Sequence, residues 1–91
     1  MTLNKLREAW SEHPDVASSL RAWNKLAKSA VWANLVEVRA TFPTADLVGD
    51  KTVFNVKGNH YRLITRIVFE RQTVLILALL THAEYDKGRW K

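Results

Sequence analysis

At residue 53 the hydrophobic period of this chain changes from that of a helix to two. Val53, Asn55 and Lys57 fall on one face of a predicted strand, and Phe54 and Val56 fall on the other. Such alternation is the pattern of a half-buried strand. Gly58 and Asn59 follow, residues that tolerate the positive φ of a tight hairpin turn. The next strand is predicted over about Tyr61 to Phe69. It puts Tyr61, Leu63, Thr65, Ile67 and Phe69 on one face and Arg62, Ile64, Arg66, Val68 and Glu70 on the other. Arg71-Gln72 is a second short turn. Thr73 to Leu80 is apolar on both faces, which predicts the most buried strand of the three.

Upstream of residue 53 the spacing is helical. Leu3, Leu6, Ala9 and Trp10 predict an amphipathic helix, with Thr2 placed to cap it and Pro14 just past its end. Asp15 is placed to cap a second helix running to about Ser29. Its Val16, Leu20, Trp23, Leu26 and Ala27 share one face, while Arg21, Lys25 and Lys28 point away. The His13-Pro14-Asp15 corner folds the two helices into a hairpin. Asn34 and Glu37 have capping-box spacing, which predicts a short third helix from Leu35 to Ala40, stopped before Pro43. Residues 43–51 contain Pro43, Asp46, Gly49 and Asp50 and read as a connection. Asp86 to Trp90 reads as either a final helical turn or coil. Trp10, Trp23 and Trp32 are predicted to fill the space between helices and sheet. The fold class is therefore α+β: an N-terminal helical hairpin plus a short helix packed on a small antiparallel β-meander.

The 91 residues fit one domain, 1–91. There is no cysteine, which excludes disulfides and thiolate chemistry. The first twenty residues carry charges and no apolar signal core, and the longest apolar run, Val74 to Leu80, is too short to cross a bilayer. A cytoplasmic protein is expected. Residues 1–50 hold six Lys/Arg and six Asp/Glu, whereas residues 51–91 hold eight Lys/Arg and three Asp/Glu. The whole net charge of +5 thus lies in the second half. A basic half beside a neutral one suits a polyanion-binding face, or else a solvated basic surface.

Three ordered fragments carry a family resemblance. They are Phe42-Pro43-x-x-Asp46, then Val53-Phe54-Asn55-Val56-Lys57-Gly58-Asn59-x-Tyr61-Arg62-Leu63-Ile64, then Thr81-His82-x-Glu84-Tyr85-Asp86. The set resembles the HigB family, the RelE-like toxin halves of type II toxin–antitoxin systems. The resemblance implies a RelE-like fold and a ribosome-dependent mRNA endoribonuclease (mRNA interferase) that cuts the codon in the ribosomal A site. It also implies a cognate antitoxin of the helix-turn-helix HigA type, with no metal or other cofactor.

Cleavage of RNA without metal uses the substrate's own 2′-hydroxyl to attack the adjacent phosphate. It requires a proton acceptor, a proton donor for the 5′-oxygen and cations for the charge that develops. His82, in the family motif, is the first candidate for proton transfer, since histidine titrates near neutral pH. Read without the family, it is a lone histidine that caps the sheet edge or hydrogen-bonds inside the core. Tyr85 could donate to the leaving oxygen, stack on a base, or simply cover the sheet. Glu84 and Asp86 could serve as a base, orient His82, or start a helical turn. Arg62, in the family's Tyr-Arg-Leu motif, is the candidate for transition-state charge, and Arg66 shares its strand face. Lys57, Lys87, Arg89 and Lys91 suit an RNA backbone, where affinity falls steeply with salt. His13 and His60 are assigned no role. Trp90 is either core covering or an RNA-stacking contact. The competing functions are a non-catalytic toxin that binds ribosome or antitoxin, and a small basic protein-interaction domain.

Overall fold

The computed structural model describes residues 3–58, 60–88 and 90, with side chains from Leu6 onward. The element order is α1 (Leu3–Glu12), α2 (Ala17–Ser29), α3 (Leu35–Thr41), β1 (Asp46–Val48), β2 (Lys51–Val56), β3 (Tyr61–Val68), β4 (Thr73–Thr81) and α4 (His82–Asp86). A 3-10 turn at Pro14–Val16 joins α1 to α2. The four strands form one antiparallel sheet in the order β1-β2-β3-β4. This is the α+β architecture expected. Thr2, Asn59, Arg89 and Lys91, and the side chain of Leu3, lie outside the described residues.

One sheet face carries Phe54, Val56, Tyr61, Leu63, Val74 and Ile76 and packs on Leu6, Val16, Leu20, Trp23 and Val38 from the helices. Burial of these apolar side chains is the main driving force of the fold. Its centre is aromatic. Phe42 lies 5.1 Å from Phe54 and 6.0 Å from Trp32, edge to face, and Trp23 meets Phe54 at 5.2 Å. Trp23 and Trp32 are buried, as their spacing predicted, and Trp10 is partly buried against the same core. Gln72 secures the loop before α3. Its Oε1 accepts the Trp32 N–H at 3.0 Å, and its Nε2 donates to the Trp32 carbonyl at 2.7 Å and the Phe69 carbonyl at 2.8 Å.

Several expectations are corrected. Thr73 to Leu80 is not the most buried strand: only Val74 and Ile76 are buried there, whereas β2 buries Thr52, Val53, Phe54 and Val56 and β3 buries Tyr61 to Thr65. β4 is one of the two edge strands, and a register shift in its pairing lies at Ile64/Thr65, with Ala78 opposite Ile64 but Ile76 opposite Thr65. One extra residue, Leu77, moves Ile76 and Val74 to the helix side and leaves Leu75 and Leu77 partly exposed. A strand that changes face at a bulge reads as apolar on both faces. Residues 43–51 are not only a connection, because β1 pairs there with β2. Gly58, at φ +63°, takes the left-handed backbone expected of it in the β2–β3 turn, and Lys57, at +52°, shares that conformation. Asp15 does not cap α2. Val16 occupies the cap position and makes no side-chain cap bond. In α3, Asn34 Oδ1 accepts the Glu37 N–H as expected, but Glu37 reaches the Ala33 N–H instead of closing a capping box. The last helix begins at His82 and ends at Asp86, where the terminal turn was expected to start.

Candidate active site

The helix α4 exists because of its cap. Thr81 Oγ1 accepts the Glu84 N–H at 3.2 Å, and Glu84 Oε1 accepts the Thr81 N–H at 3.0 Å, closing a capping box. This bond from the Thr81 N–H, first, and the Thr81 hydroxyl, second, hold the Glu84 carboxyl below its ordinary pKa, against the opposing effect of desolvation. The first helical residue, His82, is also fastened across the sheet end, its N–H donating to the His60 carbonyl at 3.0 Å. Glu84 thus serves the helix start, one of the three roles open to it in the sequence.

Two side-chain pairs follow from the helix period. His82 Nδ1 lies 2.8 Å from Asp86 Oδ2, one turn on. Tyr85 meets Arg62 of β3, whose guanidinium carbon lies 5.4 Å from the ring centroid. Arg62 is only 9% exposed, and its Nη1 donates to the Tyr61 carbonyl at 3.2 Å. A cation over an aromatic ring is attracted by the ring's quadrupole, more so when both are shielded from water. Trp90 stacks on the Tyr85 ring at 4.9 Å and 18°, and its Nε1 donates to the Tyr85 carbonyl at 2.9 Å. Trp90 therefore holds Tyr85 in place.

Two depressions meet at α4. One is lined by Asp15, Lys57, His60, Tyr61 and His82. The other is lined by Arg39, Asp46, Asn55, Arg62 and Tyr85. The helix contributes His82 to the first and Tyr85 to the second. Lys57 enters the first with its ammonium 3.1 Å from Asp15 Oδ2. Asp15 also accepts the Tyr61 hydroxyl, at 3.0 and 3.1 Å. The Lys57 hydrogen bond comes first among the causes that hold the Asp15 carboxyl below its ordinary pKa, with Tyr61 adding and desolvation opposing. Burial, then the Asp15 carboxylate, pushes the Tyr61 hydroxyl up.

Arg66 is not part of either group. It is exposed and pairs with Asp50 at 3.5 Å, toward the β1–β2 turn, about 13 Å along the strand from Arg62. Lys87 is exposed at the C-terminal end of α4, a favourable place for a cation. Arg89 lies outside the described residues.

Sequence reasoning missed Arg39, Asp15 and His13. Arg39 donates from Nε to the Ala45 carbonyl at 3.0 Å and faces the Arg62 depression. His13 packs edge-on against Tyr61 with ring centroids 5.3 Å apart. All three sit in the electrically neutral half, and only the tertiary fold brings them beside the basic half. Among the described residues no group of three His, Asp or Glu side chains could hold a metal ion. Nor is any helix among them long and apolar enough to cross a membrane.

The geometry can be set beside known proteins. The mRNA interferase toxin HigB of Escherichia coli (strain K12) is 29% identical over 89 residues, covering 94% of this chain and 86% of that protein. The mRNA interferases HigB of Escherichia coli O157:H7 and of Shigella flexneri are similar to the same extent. A family model described as HigB toxin, the RelE-like toxic component of a toxin–antitoxin system, matches residues 16–88, from just before α2 to just past α4. With that span matched, this chain belongs to the HigB family of RelE-like toxins.

Proposed function

We propose that the protein is a ribosome-dependent mRNA endoribonuclease that cuts the codon in the ribosomal A site by attack of the RNA's own 2′-hydroxyl. The observation that carries this reading is the pairing on α4, with His82 bonded to Asp86 and Tyr85 against Arg62. With Nδ1–H donating to Asp86, the lone pair of His82 lies on Nε2, ready to take the 2′-hydroxyl proton. The 2′-oxygen then bonds to phosphorus while the bond to the 5′-oxygen breaks. Tyr85 donates a proton to that leaving oxygen, and Arg62 balances the charge on the phosphorane-like transition state. The products are a 2′,3′-cyclic phosphate and a 5′-hydroxyl. Lys57 and Lys87 contact the RNA backbone, Arg66 serves as a more distant phosphate contact toward the β1–β2 turn, and Arg89, outside the described residues, is assigned an RNA-backbone role. The family's toxin–antitoxin setting supports a partner antitoxin, here taken as a HigA-type helix-turn-helix protein. The chain acts as one domain, 1–91, in the cytoplasm.

A test maps cleavage of a labelled mRNA, free in solution and positioned on purified ribosomes. The expected cut is confined to the A-site codon and absent from free mRNA. Equal cutting of free and ribosome-held mRNA overturns the ribosome dependence. One observation favours the alternative of a non-catalytic toxin: Arg62 is buried and already engaged by Tyr61 and Tyr85. That alternative predicts ribosome binding without any cut.

A further inference from the structure

Asp15 stands where an RNA-binding cleft has least use for a negative charge. It lines the depression that contains Lys57 and His82, and it takes the Lys57 ammonium at 3.1 Å. The two residues are 42 positions apart in sequence. Asp15 is fixed in the Pro14–Val16 turn, and Lys57 is fixed in the left-handed backbone of the β2–β3 turn. Their meeting is therefore a property of the fold and not of chain neighbours. Both side chains are substantially exposed, at 50% and 40%. Exposed ion pairs of this kind add little to stability. The consequence of the pair lies instead in the charge that the cleft presents. The hydrogen bond from Tyr61 does not require the charge, since a neutral amide oxygen would also accept it, though more weakly.

We propose that Asp15 is a counter-charge that withholds Lys57 from free RNA, so that a phosphate must displace the carboxylate to take the lysine. This rests on the reading of the His82 cleft as an RNA site. Free single strands, which bring few other contacts, are discriminated against. An RNA held in place by other contacts meets the same cost once, against a larger total. Asp15 is thus a specificity-determining residue that touches neither the reacting phosphate nor the 2′-hydroxyl.

The test is binding of a single-stranded RNA oligonucleotide, 2′-O-methylated throughout so that it lacks the nucleophile. Affinity is measured against salt concentration for wild type, Asp15→Asn, Lys57→Met and the Asp15→Asn/Lys57→Met double variant. Asp15→Asn is expected to bind about fivefold more tightly at low salt, the effect of removing one charge at roughly 4 Å in water. Its log–log salt slope is expected to steepen by about 0.7, as for one more single-strand phosphate contact. The gain should vanish in the double variant. Wild-type affinity and slope in Asp15→Asn overturn the proposal. So does a gain that survives Lys57→Met. If wild type binds and Asp15→Asn binds identically, only the proposal falls. If no form binds the oligonucleotide, the reading of the cleft falls with it.

Discussion

His82 Nδ1 and Asp86 Oδ2 are 2.8 Å apart across one turn of α4. The bond fixes the ring's rotation and, in the proposed mechanism, leaves Nε2 to take the 2′-hydroxyl proton. Both residues depend on a helix of five residues, His82–Asp86, that begins at a capping box. The chemistry proposed for this protein therefore depends on a local element much less buried than the sheet below it.

Replacing Asp86 by Asn tests the orienting role. An amide can present its NH2 to Nδ1 and favour the wrong tautomer. Cleavage of ribosome-held mRNA is expected to slow on the order of 10²-fold, the lower end of what general acid–base catalysis contributes. The circular dichroism spectrum and melting temperature should not change. Wild-type rates in a folded Asp86→Asn protein would remove the residue from the mechanism.

Arg62→Lys keeps the charge but not the planar fork that reaches the Tyr61 carbonyl and lies against the Tyr85 ring. The two side chains are not interchangeable at such a site. Single-turnover cleavage is expected to fall on the order of 10²–10³-fold, as when one transition-state donor is lost. A fall confined to KM would mean that Arg62 only binds RNA.

The hydrophobic pattern made the long helices and the β2–β3 hairpin readable, because each of these elements has a clear period. What it left out depends on contacts between distant residues. The segment Asp46–Val48 is too short and too rich in turn formers to show its pairing with β2. The bulge at Leu77 is visible only in the register against Thr65 and Ile64. Asp15 looked like a helix cap, and nothing local shows that its partners are Lys57 and Tyr61. At the candidate site the residue types of α4 were readable. The separation of Arg66 from Arg62 was less so, because strand alternation gives the shared face but not the ion pair with Asp50.

Gln72→Ala is expected to destabilise the fold without altering the chemistry. It removes three bonds, at 2.7, 2.8 and 3.0 Å, and leaves the part-buried Trp32 N–H and carbonyl unpaired. The expected cost is about 1–3 kcal/mol, read from a denaturant midpoint, with unchanged cleavage at temperatures where the variant is folded. A midpoint equal to wild type would show that water replaces the glutamine without loss.

Acid should loosen α4 in a way that Glu84→Gln reduces. Glu84 has a depressed pKa in the folded protein, chiefly through the Thr81 N–H. A depressed carboxylate contributes stability that is whole above its ordinary pKa of about 4.3 and lost as pH falls through the folded value. Asp15 and Asp50, also depressed, add to the acid-side loss but keep their partners in this variant. The indole signal of Trp90, stacked on Tyr85, is the local reporter. Identical pH profiles for the two proteins would contradict the cap's role.

The most direct measurement is the single-turnover rate at which wild type and His82→Ala cut an mRNA positioned on purified ribosomes. The account predicts one A-site cut by wild type and a rate lower by on the order of 10²–10⁴-fold in the variant, with ribosome binding retained. A folded His82→Ala protein that cuts at the wild-type rate would contradict it.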